Sequence, residues 1–247
     1  MMDDEAANFS RRSFLGAGAA LVAASGASAQ VDSALPADLR GVGVSTVADA
    51  LRRVGRDPMA LAMTPDIKAL TTTRGTVFGP AVTTKYQAGK GRMTGDDVRK
   101  HMFGPLDTAA AGSIWVIAGG TERILSLFGG VIGAACKRNG MVATVTDNGC
   151  RDIATFEEMG FPVFAKASVP YGPGDFVKPV AANVPVVCGG VTVNPGDVVA
   201  ADIDGVIVIP KDDYAAVMDA AVEVLAKEQK MHDKITAGES LAETYKI

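Results

Sequence analysis

Asp147-Asn148-Gly149-Cys150-Arg151-Asp152 sets a cation beside an anion at the mouth of a helix. Residues 141–145 before it are apolar and partly β-branched, the composition of a buried strand. Residues 153–159 after it carry helical spacing and stop at Gly160, with Phe161-Pro162 beyond. Open α/β sheets bind ligands at such strand-to-helix turns. A carboxylate there can hold a hard divalent cation while a guanidinium polarises an oxygen bound beside it. The plain alternative is that Asp152 caps its own helix and Arg151 is a solvated surface residue. Spacing alone favours the plain alternative.

Other candidates are weaker. Gly119-Gly120 and Gly129-Gly130-Val131-Ile132-Gly133 could present backbone amides to an anion at a helix start, but neither has the spacing of a nucleotide fingerprint. Bare glycines of this kind usually serve turns and close helix packing. His101 and His232 are the two imidazoles, and neither has a Cys or carboxylate at metal-ligand spacing. That argues against histidine-ligated metal and Ser-His-Asp chemistry, and leaves oxygen ligands and magnesium, manganese or calcium. Cys136, Cys150 and Cys188 are too few and too irregular for a disulfide framework or a zinc site. Glu122, Glu223 and Glu228 are acid/base candidates only if the fold or a neighbouring subunit brings them in; each reads first as a solvated helix residue.

The elements that must position the pair read as α/β. A short helix at 45–51 ends near Gly55, and residues 75–85 are β-rich. Residues 87–95 are polar and glycine-rich, as an exposed loop is. A buried strand at 114–118 meets Gly119-Gly120, and a helix then runs from Arg123 or Gly130 to Lys137. Short strands follow at 163–165, 184–188, 191–193, 198–202 and 206–210, with turns at 194–197 and at Asp204-Gly205. Residues 211–232 form a long terminal helix. No linker or repeat divides the chain, so residues 30–247 are expected to form one domain. A net charge of -4 with scattered Lys and Arg gives no reason to expect nucleic acid binding.

The first 29 residues read as a leader. Ser10-Arg11-Arg12-Ser13-Phe14-Leu15 has the twin-arginine pattern, a weakly apolar run follows, and Ala27-Ser28-Ala29 offers a cleavage site. The apolar run is too short for a resident membrane helix. The expectation is export to the periplasm as a folded protein, cleaved near Ala29, with no stable membrane anchor.

Residues 140–164, with the Thr146 to Asp152 block and Gly160-Phe161-Pro162-Val163-Phe164, resemble the RraA-like family. Asn183-Val184-Pro185-Val186-Val187-Cys188-Gly189-Gly190-Val191-Thr192-Val193, Pro195-Gly196-Asp197 and residues 202–210 extend the resemblance over most of the chain from Val42 to Lys230. That family contains the 4-hydroxy-4-methyl-2-oxoglutarate/4-carboxy-4-hydroxy-2-oxoadipate aldolases and the regulator of ribonuclease E activity. The resemblance implies an α/β/β/α sandwich like a phosphohistidine swivelling domain, assembled as a homotrimer or homohexamer with its site in a cleft between subunits. It implies a metal (magnesium or manganese) at Asp152, a substrate-polarising and catalytic role for Arg151, and substrate carboxylate binding by the amides of Gly130, Val131 and Ile132. It also exposes a departure. The aldolases carry an acid that holds a proton-moving water at the position of Gly130. Their basic residue near Pro170-Tyr171-Gly172 is not evident either, and the 85–105 segment is longer than the usual pattern. The activity implied is a metal-dependent carbon–carbon lyase on a small 2-oxo acid. The alternatives are a lyase of altered chemistry and a non-catalytic binding protein.

Overall fold

Residues 114–118 are all buried, and their side chains alternate between two cores. Ile114, Val116 and Ala118 face an interior cluster, whereas Trp115 and Ile117 face a helix-covered cluster. A strand buried on both faces needs a continuous apolar run, which this segment has. The computed structural model describes residues 41–89 and 91–246. The leader assigned to residues 1–29 lies outside the described residues.

The first elements are α1 (Val44–Arg53), β1 (Lys68–Ala69), β2 (Val77–Ala88), α2 (Gly95–Val98), α3 (Gly104–Asp107) and β3 (Ile114–Ala118). Next come α4 (Gly130–Arg138), β4 (Ala143–Thr146), β5 (Gly149–Cys150), α5 (Ile153–Met159), β6 (Val163–Ala165) and β7 (Ala167–Ser168). The remainder is β8 (Val177–Ala182), β9 (Val186–Cys188), β10 (Val191–Val193), β11 (Val198–Asp202), β12 (Gly205–Ile209), α6 (Tyr214–Thr236) and α7 (Leu241–Tyr245).

Eight strands form one sheet in the order β1-β6-β4-β3-β2-β11-β12, with β8 also paired to β2. β2 can take three neighbours because β11 pairs its first half (Val77 to Pro80) and β8 its second (Thr84 to Ala88). The sheet nearly closes on itself. Just ahead of β1, the Met63 N–H donates to Val206 O, and the Val208 N–H donates to Leu61 O, each at 2.9 Å. Mixed α/β architecture with a barrel-like sheet is the result. The two sheets expected of a sandwich are here one curled sheet with helices on opposite outer faces. α4 and α5 cover β3, β4 and β6 through Trp115, Phe128, Phe156 and Phe161. α1 and α6 cover β11 and β12 through Leu51, Ile207, Ile209 and Val217. The β9–β10 hairpin sends Val186, Cys188, Val191 and Val193 into the interior.

Several boundaries differ from the sequence reading. The helix before β4 begins at Gly130 and not at Arg123, because residues 121–128 are fixed as an irregular loop by a neighbouring side chain. β2 runs to Ala88, so the loop expected over 87–95 is shorter. Residues 95–107 are helical, with a π-helical turn at Arg99–Phe103 between α2 and α3. Thr94 and Asp97 form a reciprocal capping box there, and Lys178 of β8 pairs with Asp97 at 3.2 Å. The strand expected at 184–188 covers only Val186–Cys188. The terminal helix begins later than expected, at Tyr214, and extends to Thr236.

Candidate functional site at the ends of β3 and β4

β3 and β4 are parallel neighbours, and both carboxyl ends open onto the same side. Asp147 and Asn148 follow β4. The Asp147 carboxylate accepts from the Gly119 N–H at 2.7 Å and from the Gly189 N–H at 3.3 Å. It ties two turns together and is thereby committed to backbone. Asn148 is fully buried. Its Oδ1 accepts from the Leu125 and Gly149 amides at 2.6 and 3.0 Å, and its Nδ2 donates to the carbonyls of Thr121 and Arg123. One buried amide thus holds the whole 121–125 loop, and satisfying each of its polar atoms is what makes burial tolerable.

The chain then pairs with that loop. The Leu127 N–H donates to Gly149 O at 3.0 Å, and the Arg151 N–H donates to Phe128 O at 3.3 Å. On its other side β5 pairs with β7. This threading brings Arg151 and Asp152 to the first turn of α4.

Asp152 precedes α5 in the left-handed region, φ 64° and ψ 39°. Asp is among the few non-glycine residues that visit this region, at a cost of roughly 1 kcal/mol. Its side chain makes no capping bond to α5. It reaches across to α4, where Oδ2 accepts from the Gly130 N–H at 2.9 Å. The expectation that Asp152 caps its own helix therefore fails: the left-handed backbone turns the carboxylate toward the N-terminus of another helix, where the dipole favours negative charge. Arg151 Nε lies 3.8 Å from the same oxygen, and both side chains are about half exposed, at 50% and 46%. An ion pair this long and this wet contributes little. The guanidinium is free to bind something else.

Of the three amides expected to hold a carboxylate, that of Gly130 already has Asp152. Those of Val131 and Ile132 precede the first intrahelical bond, Gly133 N–H to Gly129 O at 3.0 Å, and belong to the unpaired first turn. Val131 itself is 88% exposed. Gly130 has a reason to be glycine. A Cβ there would stand 2.9 Å from Thr155 Cγ2 and 3.2 Å from Thr155 Cβ. Thr155, on the first turn of α5, fills the place an acidic side chain would start from.

Asp152 fits a hard cation. It is a half-exposed oxygen donor whose Oδ1 has no hydrogen bond among the described residues. Among those residues no cluster of three or more His, Cys, Asp or Glu side chains forms, so other ligands would come from water, substrate or a neighbouring subunit. Of the alternative acids, Glu122 lies in the 121–125 loop beside the site, and Glu223 and Glu228 lie on α6. Glu223 pairs with Arg53 on the α1–α6 face, and no carboxylate other than Asp152 is within ion-pair distance of Arg151 among the described residues. Cys150 is buried, and burial, with a smaller contribution from the Asp152 charge, pushes its thiol up to about 12, so it is no thiolate nucleophile. An open depression of about 510 Å³ lies by Asp96, Asp97, Arg99, Lys100 and His101, on the α2 segment, and includes neither Arg151 nor Asp152.

The sequence match to the family description Aldolase/RraA spans residues 44–208, and it contains every element of this site. The chain belongs to the RraA-like family. An uncharacterized protein of Methanocaldococcus jannaschii is 32% identical over 122 residues, 49% of this chain and 58% of that protein. A Halalkalibacterium halodurans protein provisionally named 4-hydroxy-4-methyl-2-oxoglutarate aldolase is 31% identical over 170 residues, 65% of this chain and 74% of the relative. Among solved structures, RraAS2 of Streptomyces coelicolor, described as an unusual member of the RNase ES inhibitor RraA protein family, superposes with a TM-score of 0.70 at 25% identity. It covers 80% of this chain and 96% of that one. The match thus spans a little over half of the first relative and most of the other two.

Asn148, Thr155 and Arg123 escaped the sequence reading as site residues. Only Asn148 carried a signal, its place within the Asp147 to Asp152 block.

Proposed function

We propose that this RraA-like protein is a carbon–carbon lyase of aldolase or decarboxylase type, acting on a small 2-oxo acid with magnesium or manganese held at Asp152. The observation that carries this reading is the meeting of Arg151, Asp152 and the first turn of α4. The provisional names of the relatives agree with it. The free amides of Val131 and Ile132 receive the acid's carboxylate at the positive end of the helix. Arg151, with little pairing to Asp152, donates to the 2-keto oxygen and stabilises the negative charge that grows there as the carbon–carbon bond breaks. A bound cation would supply Lewis-acid polarisation of that oxygen.

Gly130 and Thr155 favour the decarboxylase form. Aldol cleavage needs a base to take the hydroxyl proton before the bond breaks, and loss of a positioned base typically costs on the order of a hundredfold in rate. Loss of carbon dioxide from a 2-oxo acid with a carboxylate on C3 needs no such base. The electron pair of the breaking bond flows into the enolate, and water at the open rim returns a proton to C3. Incubation of the purified protein with magnesium or manganese, and with both 4-hydroxy-2-oxo acids and 3-carboxy-2-oxo acids such as oxaloacetate, tests the reading. Pyruvate release that disappears in Arg151→Ala is expected. No turnover of either class would sink the lyase. In that case the non-catalytic reading, which the missing acid also favours, would be supported by the absence of a thermal shift with metal or with oxalate.

The same reading includes a homotrimer or homohexamer, in support of which Val131 offers an exposed apolar side chain at the site's edge. It includes the swivelling-domain likeness of the layers and periplasmic export, the latter resting on the sequence of residues 10–29.

A further inference from the structure

Arg123 lies in the loop between β3 and α4. Its guanidinium carbon stands 4.3 Å from the centroid of the Phe176 ring. Its carbonyl accepts from Asn148 Nδ2 at 3.1 Å, and its N–H donates to Thr121 Oγ1 at 3.2 Å. Main chain and side chain are thus both held, the first by the buried residue just upstream of Arg151, the second by an aromatic face. Among the described residues no carboxylate lies within ion-pair distance of Arg123. A guanidinium stacked on a ring keeps its N–H edge open for a planar anion.

Arg123 and Arg151 flank one short segment. The Ser126 N–H donates to Tyr171 O at 3.0 Å, fixing that segment to the loop. A Cβ on Gly172 would stand 3.9 Å from Arg151 Nη1. The Phe176 N–H donates to Pro173 O at 3.1 Å, closing a turn between Gly172 and the ring under Arg123. Such a turn keeps its end Cα atoms within about 7 Å. Arg151 therefore stands beside the residue that enters this turn and Arg123 over the ring that ends it, Arg151 with only the long contact to Asp152 and Arg123 with no carboxylate in ion-pair distance among the described residues.

We infer that Arg123 is a second anion contact of the Arg151 site and selects oxo acids that carry a carboxylate at the end remote from the 2-oxo group. The inference rests on the oxo-acid reading above and names the specificity residue for it. Ring stacking pre-orders the guanidinium, so less freedom is lost when a carboxylate docks against its N–H edge. The contact is charge-assisted and desolvates only partly, so its loss is worth about tenfold in affinity.

Competition binding on the full chain with magnesium tests it, with pyruvate as the short ligand and 2-oxoglutarate as the long one. Arg123→Gln is expected to weaken 2-oxoglutarate about tenfold and leave pyruvate within about twofold. Phe176→Leu, which leaves the charge but removes its support, is expected to shift 2-oxoglutarate alone and by less. Unchanged 2-oxoglutarate binding in Arg123→Gln, or equal loss of both ligands in a variant with wild-type melting, overturns the inference. Arg151→Ala separates the two levels: it should weaken both ligands if the oxo-acid reading holds. If the native protein binds neither, that reading fails together with this one.

Discussion

The Gly130 amide donates to the Asp152 carboxylate at 2.9 Å, so the anion of the Arg151-Asp152 pair serves a helix other than its own. This one bond docks the start of α5 onto the start of α4. It gives Asp152 a structural duty that does not consume it, since one oxygen is bonded and the other has no hydrogen bond among the described residues.

The two duties separate in variants. Asn tolerates the left-handed conformation and keeps a side-chain oxygen for the Gly130 amide. Asp152→Asn is therefore expected to melt within a few degrees of the native protein and to lose the thermal shift given by magnesium or manganese. Asp152→Ala lacks the acceptor and keeps the unfavourable backbone, so about 1–3 kcal/mol of stability should go as well. A metal-induced shift that survives in both variants would remove Asp152 from the cation site.

Much of this arrangement was legible in residue order, and the rest was not for a physical reason. The 114–118 and 141–145 runs announce buried strands, and Gly160 ends α5 in a left-handed cap as its position suggests. What a one-dimensional pattern does not carry is the contact between chain segments. Thr155 is an ordinary helix residue until α4 packs against it. Arg123 looks like a solvated charge until the turn before β8 brings Phe176 under it. Asp147 reads in sequence only as the start of the site block, and the structure commits its carboxylate to the Gly119 and Gly189 amides.

Thr155 controls whether the family's acid can return. A Cβ at position 130 would lie 2.9 Å from its methyl group, closer than packed atoms settle. Gly130→Asp alone is expected to lower the melting temperature and to yield no gain in aldol cleavage. Adding Thr155→Ala removes the nearest clash and should recover stability together with cleavage of 4-hydroxy-2-oxo acids. If Gly130→Asp is stable and active by itself, the packing argument is wrong.

Gly133 sets how closely α4 and α5 approach. A Cβ there would run into the ring of Phe156, which is fully buried, edge-on to Phe128 and tilted against Phe161. Gly133→Ala should therefore cost about 1–3 kcal/mol despite the better helix propensity of alanine. Chemical denaturation measures this directly, and a stabilised variant would contradict the packing.

Alkaline pH probes the three buried thiols. Burial pushes Cys136 and Cys150 from the ordinary 9.0 up to about 12, and Cys188 is raised well above it as well. The folded state keeps these protons when the unfolded chain has released them. The unfolded state therefore binds fewer protons above pH 9, and stability falls as pH rises through the window from about 9 toward 12. Below pH 9 both states hold the protons and the thiols contribute no slope. The urea midpoint is thus expected to stay level from pH 7 to about 8.5 and to drop beyond it. Replacing Cys150 with Ala should make the alkaline drop shallower without changing turnover at neutral pH. A thiolate role in catalysis would instead appear as lost activity in that variant.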